Sequence, residues 1–231
     1  MNNWIICLKH GDKYGPNYVN TLFNMTTRHC TVPFQFACIT ENTQGLDTRI
    51  KIIPTPNENV TGWWYKPWVF SNDIPLDGTL LFLDLDIVIV ANIDKLWTYE
   101  KGKFCIIRDF NRKDIPGYNR CNSSVFRLEK GSYKHIWENL SRDYKQTKLM
   151  HGDQDWIYKQ AHKEFTFWPD IWIQSYKWEI RSRHDIILDN KKRKFKNIAN
   201  PVIPQETSLL VFHGDPKPSE VNDPIIVDNW K

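Results

Sequence analysis

A strand pattern that ends in two carboxylates constrains the fold of this chain more than any other feature. The run Leu80–Leu83 is apolar without interruption, and Asp84 and Asp86 follow it with Leu85 between them. Uninterrupted apolar runs are typical of central strands that are covered on both faces. Residues i and i+2 of an extended backbone point to the same side, so we expect the two carboxylates to project together. The sequence therefore predicts an acidic site at the end of a central strand.

Two carboxylates held this close together need a positive partner. Like charges raise each other's pKa unless a cation lies between them, and a hard divalent cation bound by carboxylate oxygens is the simplest such partner. The plainer alternative is an aspartate that caps a turn or a helix, because an Asp-X-Asp triplet alone is a weak signal. A second apolar run at Ile87–Val90 embeds the acids in the core, and open α/β sheets bind ligands at the carboxyl ends of their strands. This setting favours a ligand or metal site.

A further apolar run, Leu209–Phe212, also ends in polar residues. His213 follows it directly, and Gly214 and Lys217 come next. On its own, a histidine at a strand end is more often structural than a ligand. Here the glycine would let the backbone approach an anion closely, and the lysine carries a compact charge suited to phosphate. With the two carboxylates, His213 would form a mixed nitrogen and oxygen site, which suits Mn²⁺ better than Mg²⁺.

The order of predicted elements indicates an α/β fold, and a chain of 231 residues can bury a full core as one domain. Strands are predicted at Trp4–Leu8, Pro33–Ile39, Ile50–Ile53, Leu80–Leu83, Phe104–Arg108, Ser123–Leu128, Phe165–Trp168 and Leu209–Phe212. Helices are predicted at Pro16–Met25, from Lys66 onwards, at Tyr133–Asp143 and at Asp153–His162. We expect residues 1–94 to form a nucleotide-binding half.

Charge and composition limit the classes of partner and the cellular location that we expect for this protein. The net charge is +4 with acids and bases interspersed, so nothing calls for a nucleic-acid partner. The basic run Lys191–Lys196 is interpreted as a solvated loop, or as a weak contact with an anionic membrane surface or a phosphate-bearing acceptor. No stretch approaches the roughly 18 apolar residues of a membrane span, and no signal-peptide pattern is present, so we expect a cytoplasmic protein with at most peripheral membrane contact. The five scattered cysteines are expected to be reduced.

The high content of aromatic residues allows two interpretations. The chain has eleven tryptophans and nine tyrosines. Aromatic faces stack on sugar rings, but large aromatic side chains also fill cores. Trp63, Trp64, Trp168 and Trp172 are candidates for stacking on an acceptor, with core roles as the alternative for at least half of them.

Several motifs, in their order along the chain, resemble those of the retaining GT-A glycosyltransferases of family 8, the glycogenin-like and galactosyltransferase-like enzymes. The motifs are Leu8, Asp12 and Tyr14 in the loop after the first strand, Lys66, Asp84-Leu85-Asp86 followed by Ala91-Asn92-Ile93-Asp94, Asn122-Ser123, Gly152-Asp153-Gln154, and His213-Gly214 with Lys217-Pro218. They extend from Leu8 to Pro218 and so cover most of the chain. The chain departs from the family at His10-Gly11, where a Thr and an Asn are common.

The resemblance implies a GT-A fold, with a mixed central sheet flanked by helices, and sugar transfer from a UDP-linked donor with retention of configuration. It implies Mn²⁺, or Mg²⁺ in its place, held by Asp84, Asp86 and His213. The implied donor-binding residues are Leu8, Asp12, Tyr14, Lys66, Asp84, Leu85, Asn122, Ser123, Gly214 and Lys217. Asp153 and Gln154 would act at the sugar, although Asp153 also fits the N-cap of its helix. Residues 95–231 would bind sugar and acceptor, the acceptor being a glycan, a lipid-linked glycan or a protein.

Two rival functions fit parts of the same sequence. The pattern around Asp84 and Asp86 also fits the first motif of haloacid-dehalogenase-like phosphatases, in which Asp84 would be the nucleophile and Mg²⁺ the cofactor. That motif usually opens its chain, whereas three strands precede it here. A non-enzymatic carbohydrate-binding protein would use the aromatic side chains for stacking, but such modules are mostly antiparallel β-sandwiches.

Overall fold

The computed structural model describes residues 2–56, 59–182, 186–189, 192–195 and 201–231, with the backbone alone for 186–189 and 192–195. Within these residues the strands are β1 Asn3–Lys9, β2 Gln35–Thr40, β3 Lys51–Ile53, β4 Thr79–Leu83, β5 Ile87–Ile89, β6 Cys105–Arg108, β7 Cys121–Glu129, β8 Thr166–Phe167, β9 Ile173–Ser175, β10 Ile186–Asp189, β11 Lys192–Phe195 and β12 Leu209–Val211. The α-helices are α1 Pro16–His29, α2 Lys95–Thr98, α3 His135–Arg142, α4 Tyr144–Thr147, α5 Asp153–Ala161 and α6 Pro224–Asn229. Short 3₁₀ helices lie at Gly62–Phe70, Phe110–Lys113, Asp170–Trp172 and Pro218–Glu220, and a π-helical turn lies at Tyr176–Ile180.

The main sheet of the described chain has seven strands in the order β3-β2-β1-β4-β7-β6-β8. β7 runs antiparallel to its neighbours β4 and β6, and the other pairs in this sheet are parallel. The pairing of β4 with β7 joins strands from the two sides of residue 94. This architecture confirms the predicted mixed central sheet flanked by helices.

Strand β4 is covered on both faces, as its apolar sequence predicts. Leu81 and Leu83 pack in one hydrophobic cluster with Leu22 of α1, and Leu80 and Phe82 pack in a second cluster with α3, α5 and the 3₁₀ helix Gly62–Phe70. All five residues of β4 are buried. Because β4 and β1 are parallel neighbours, their carboxyl ends meet at the same edge of the sheet, where ligands bind in open α/β folds.

A smaller sheet brings a distant segment to that edge. Its strand order is β5-β12-β9, with Val211 of β12 paired to Ile87 of β5. The backbone N–H of Phe212 donates to the carbonyl of Asp86 at 3.1 Å. Residues 213–217 therefore lie beside the Asp84–Asp86 segment, although about 130 residues separate the two in the sequence.

Several boundaries differ from the sequence expectations. Residues 84–86 form a turn between β4 and β5 rather than the expected extended backbone. The helix expected from Lys66 is a 3₁₀ helix with Pro67 inside it, since proline removes a backbone donor and disfavours an α-helix. The helix expected at Tyr133–Asp143 is α3, which runs from His135 to Arg142, and the strand expected at Phe165–Trp168 shortens to Thr166–Phe167.

The basic run Lys191–Lys196 lies outside the part of the chain whose side chains are described, although the backbone of 192–195 forms β11, which pairs antiparallel with β10. None of the helices among the described residues combines the length and the hydropathy that a bilayer crossing requires.

Candidate active site

The turn that carries Asp84 and Asp86 is held from both sides by backbone hydrogen bonds. The N–H of Asp84 donates to the carbonyl of Ser124 at 2.9 Å, and the carbonyl of Asp86 accepts from Phe212. The turn is thus fixed between β7 and the small sheet. Asp84 and Asp86 both line one cavity of about 480 Å³.

This cavity contains most of the predicted site residues. It is lined by Leu8, His10, Lys13, Tyr14, Gly62, Trp63, Lys66, Asp84, Leu85, Asp86, Asn122, Ser123, Ser124, Asp153, Gln154, Phe212, His213, Gly214 and Lys217. Asp12 is the predicted site residue that does not line it, because the loop after β1 leaves its side chain exposed. A volume of this size is in the usual range for small-molecule sites, about 300–1,000 Å³.

Lys66 is the buried cation of the site, with 6% of its surface exposed. Its Nζ lies 2.9 Å from Oδ1 of Asp84 and 3.2 Å from Oδ2 of Asp153. Ser123 donates its hydroxyl to Oδ2 of Asp153 at 2.6 Å. Burial lowers the pKa of Lys66, but attraction to Asp153 and Asp84 outweighs burial, and the pKa lies above its ordinary value. One ammonium thus holds together two carboxylates that come from different elements.

The side chain of Asp84 is partly buried, at 26% exposure, and its ionised form is disfavoured despite this lysine. Partial burial raises the pKa of its carboxyl, Lys66 lowers it, and the nearby charges of Asp86 and Asp153 raise it again, so that the pKa lies at about 6. A carboxyl with a pKa this far above 3.8 gains from a further positive charge close by. The cavity is therefore an environment in which an added cation would be stabilised.

Asp86 is engaged by two side chains from opposite ends of the chain. Its Oδ2 accepts from the Tyr14 hydroxyl at 2.8 Å and from Lys217 Nζ at 2.6 Å. The Lys217 ammonium also lies 5.3 Å from the centre of the Tyr14 ring. Burial and the charge of Asp86 raise the pKa of Tyr14, so its hydroxyl stays protonated and donates. The loop after β1 and the C-terminal motif therefore meet at this carboxylate.

His213 is held in a fixed orientation at the wall of the cavity. Its Nε2 lies 2.7 Å from Ser175 Oγ, its ring stacks on Phe110 with 5.6 Å between the ring centres, and it packs edge to face on Trp178 with 4.2 Å between the ring centres. Gly214 follows with φ of +67°, a left-handed conformation that favours glycine. The chain can therefore turn sharply after His213 and bring Lys217 back towards Asp86.

The side chains of the cavity are of the types that bind a divalent cation. Two carboxylates and an imidazole line the same cavity, and these are ligands that Mn²⁺ and Mg²⁺ accept. As placed, however, no three His, Cys, Asp or Glu side chains of the described residues stand close enough together to hold a metal ion. Lys66 and Lys217 each contact one of the carboxylates, so a bound cation would have to exchange with these ammonium groups.

The opposite wall of the cavity consists of polar residues from β7 and α5. The Asn122 amide donates to the Gln154 side-chain carbonyl at 3.3 Å, and the Asn122 side-chain oxygen accepts from the backbone N–H of Ser124 at 2.9 Å. The N-cap of α5 is Gly152, not Asp153, because the carboxylate of Asp153 turns to Lys66 and Ser123 instead of to the helix. The N-cap interpretation of Asp153 is therefore wrong.

The sequence analysis missed several residues that line the cavity. His10 and Lys13 lie in the loop after β1, where the chain has no periodicity to predict which side chains face inward. Their place directly after the first strand is the signal that could have found them. Of the tryptophan candidates, Trp63 lines the cavity, whereas Trp64 and Trp168 are buried in the core. Trp172 packs edge to face on Tyr99, away from the cavity.

Comparison with known proteins adds information on the fold. No protein-family model and no curated protein matches the sequence. A structure of the galactosyltransferase LgtC in complex with donor and acceptor sugar analogs matches with a TM-score of 0.64 and 14% identity, over 97% of this chain and 94% of that chain. The bifunctional glycosyltransferase WbbM matches with a TM-score of 0.62 and 12% identity, over 98% of this chain and 51% of that chain.

The glycosyltransferase GlyE of Streptococcus pneumoniae TIGR4 matches with a TM-score of 0.61 and 12% identity, over 94% of this chain and 56% of that chain. At these identities the likeness concerns the course of the backbone. The chain therefore has the mixed α/β, GT-A type of fold found in these glycosyltransferases.

Proposed function

We propose that this chain is a metal-dependent glycosyltransferase that moves a sugar from a UDP-linked donor to an acceptor with retention of configuration. One observation carries the proposal. Asp84 and Asp86 share a single cavity with three lysines, Lys13, Lys66 and Lys217, and with the polar wall of Asp153 and Gln154. The fold, shared with glycosyltransferases over nearly the whole chain, supports it.

The two ends of the cavity suit the two parts of a nucleotide sugar. Leu8 and Tyr14 lie at the carboxyl end of β1, where a nucleoside would bind in an α/β fold. Lys217, from the C-terminal motif, carries a compact charge that suits the diphosphate. Cleavage of the bond to the anomeric carbon leaves negative charge on the departing phosphate, and a positioned ammonium stabilises that charge. Gly214 leaves room for the backbone to approach the same phosphate.

Asp84, Asp86 and His213 are the residues that would hold Mn²⁺, with Mg²⁺ as the alternative. When bound, the cation would supply Lewis acidity at the diphosphate. Lys66 would keep Asp84 and Asp153 in place whether or not donor is present, because its ammonium contacts both carboxylates.

The polar wall suits the sugar. Asn122 and Gln154 present amide groups that can bond sugar hydroxyls, and their mutual hydrogen bond orients them. Asp153 would place negative charge near the anomeric carbon and so steady the positive charge that develops on the ring. Its contacts with Lys66 and Ser123 fix the position of its carboxylate, which suits electrostatic stabilisation better than nucleophilic attack. Retention is proposed from the resemblance of the motifs, with the leaving phosphate accepting the acceptor proton.

Thermal unfolding of metal-stripped protein tests the proposal, with UDP, GDP or buffer, each with and without Mn²⁺. A ligand that binds only the folded state adds about 2.7 kcal/mol of stability at a hundredfold excess over Kd. We expect UDP to raise the unfolding midpoint only in the presence of Mn²⁺, and the Asp86→Asn variant to abolish this rise. In a separate activity assay, we expect the protein to release UDP slowly from a UDP-hexose. A midpoint that responds to Mg²⁺ with a phosphate mimic, but to no nucleotide, would instead support the phosphatase with Asp84 as nucleophile.

A further inference from the structure

Trp63 is an exposed indole at the mouth of the cavity. It is 53% exposed, whereas Trp64 and Trp68 on the same 3₁₀ helix are buried. All eleven tryptophans lie within the described residues, and Trp63 is the one that is exposed. An indole is large and apolar, and leaving it in water gives up the free energy of burial. Its position in the lining of the cavity indicates that a ligand covers it.

The backbone under this indole is anchored on both sides. Thr61 donates its backbone N–H to the Tyr144 hydroxyl at 3.1 Å, and Trp64 packs edge to face on the Tyr144 ring at 6.2 Å. Three residues after Trp63, Lys66 is fixed by its contacts with Asp84 and Asp153. The backbone that carries the indole is therefore already fixed, and a ligand that stacks on the indole loses little affinity to the ordering of protein groups.

The anchors connect the segment around Trp63 to residues that are proposed to bind the sugar. Tyr144 belongs to α4, which precedes the segment leading to Asp153 and Gln154, and Lys66 contacts Asp153 directly. The nucleoside end already has an aromatic ring in Tyr14. A Cβ on Gly62 would lie 3.8 Å from the His10 ring, so the segment before Trp63 also lies close to the loop after β1, where the nucleoside is proposed to bind. The nucleobase is therefore the other ring that could stack on Trp63, and the experiment must separate the two.

We infer that Trp63 is the stacking platform for a pyranose ring of the acceptor, so that the acceptor is a carbohydrate. This rests on the proposed function and narrows it. A pyranose presents a face of C–H groups that carry partial positive charge, and the indole face is negative, so the two stack with loss of water from both. The stacked ring would lie at the rim, where an acceptor enters from solvent after the donor has filled the interior.

The test measures release of UDP from UDP-hexoses with and without a panel of methyl and p-nitrophenyl α- and β-pyranosides. The parent, Trp63→Ala, Trp63→Phe and Val227→Ala are compared. Val227 on α6 is the matched control, because it is 53% exposed, like Trp63, but does not line the cavity. The dissociation constant of UDP with Mn²⁺ is measured for each variant.

We expect a pyranoside to accelerate UDP release in the parent, and Trp63→Ala to lower the acceptor-dependent kcat/KM by about tenfold or more, the scale of an interface hot spot. Trp63→Phe should recover most of this loss, because a smaller aromatic face remains, and Val227→Ala should match the parent. The dissociation constant of UDP should change by less than about threefold in Trp63→Ala, since a stacking residue for the acceptor makes no donor contact.

Three results would overturn the inference. The first is an unchanged acceptor-dependent kcat/KM in Trp63→Ala. The second is an equal loss of UDP affinity in that variant, which would assign the indole to the nucleobase. The third is a parent that releases UDP but responds to no pyranoside of the panel. A parent that neither binds UDP nor releases it from UDP-hexoses is a different result, because it contradicts the proposed function itself.

Discussion

Lys217 and Asp86 form an ion pair of 2.6 Å across 131 residues of sequence, at the point where the loop after β1 and the C-terminal motif meet. Tyr14 donates its hydroxyl to the same carboxylate oxygen. The three side chains come from different elements, so the contact exists only in the folded chain. On the proposed function, this ion pair holds Lys217 beside the diphosphate of the donor.

Replacing Lys217 tests whether its charge serves the diphosphate. We expect Lys217→Met to weaken UDP binding in the presence of Mn²⁺ by about tenfold to a hundredfold, since hydrogen bonds to charged groups contribute about 1.5–3 kcal/mol. Isothermal titration measures the affinity. Lys163→Met is the control, because Lys163 is exposed and lies outside the cavity. Equal UDP affinity in parent and Lys217→Met would show that the ammonium serves Asp86 alone.

Replacing Lys66 should affect folding as well as activity. Lys66→Met leaves the buried Asp153 and the partly buried Asp84 without their shared cation, and breaking a buried ion pair costs about 3–5 kcal/mol. We expect a large fall in the free energy of unfolding, measured by urea denaturation of metal-free protein. Part of the loss should return in the double variant Lys66→Met/Asp84→Asn, in which one of the two charges is also removed.

The matched control for this prediction is Lys134→Met. Lys134 forms a surface ion pair with Glu138 on α3, and such pairs contribute about 0–1 kcal/mol. A Lys66→Met variant no less stable than Lys134→Met would contradict the role assigned to the buried ammonium.

The raised pKa of Asp84 gives a prediction on stability against pH. Its pKa is about 6 in the folded chain, whereas the ordinary value of 3.8 applies to the unfolded chain. A raised acid pKa means that ionisation destabilises the fold, with no effect below the ordinary pKa and the full effect above the folded pKa. Metal-free Asp84→Asn should therefore equal the parent near pH 3.5 and exceed it above pH 6, by about 1–3 kcal/mol at about 1.36 kcal/mol for each pKa unit.

Denaturation curves from pH 3.5 to 8 measure this difference. Asp47→Asn is the control of opposite sign, because Arg49 lowers the pKa of Asp47 to about 2 and ionised Asp47 is favoured in the folded chain. That variant should be slightly less stable than the parent at neutral pH. An Asp84→Asn variant whose stability relative to the parent does not change with pH would show that Lys66 already compensates Asp84 fully.

The sequence was informative where a pattern is local. The apolar run of β4 predicted a strand covered on both faces, and the acids directly after it line one cavity. All of the site residues predicted from strand ends and motifs, apart from Asp12, line the cavity. Strand ends are predictable because apolar periodicity stops there, and parallel strands place those ends at one edge.

The remaining features depend on partners that no local pattern reveals. The loop after β1 has no periodicity, so nothing in it indicated that Tyr14 turns inward and Asp12 outward. The contact between Lys217 and Asp86 requires β12 to pair with β5, which is a matter of topology. The N-cap expected of Asp153 fails for the same reason, since a distant lysine binds its carboxylate more favourably than the helix end does.

Arg127 is a case in which a charged residue inside a predicted strand is structural. It is 1% exposed on β7 and donates to the carbonyls of Leu96, Glu100 and Lys103, which ties the segment around α2 to the sheet. Arg127→Met removes these three hydrogen bonds and leaves the buried carbonyl of Leu96 without its Arg127 donor, whereas the Glu100 carbonyl keeps the N–H of Lys103. We therefore expect a loss of about 1–3 kcal/mol in urea denaturation, the cost of one buried unsatisfied group. UDP affinity well below the unfolding midpoint should stay at the parent value, because Arg127 does not line the cavity.

The control for this prediction is Arg142→Met, because Arg142 is exposed, and this variant should lose less than about 0.5 kcal/mol of stability. Weaker UDP binding by a fully folded Arg127→Met would mean that the segment around α2 shapes the site, contrary to this assignment.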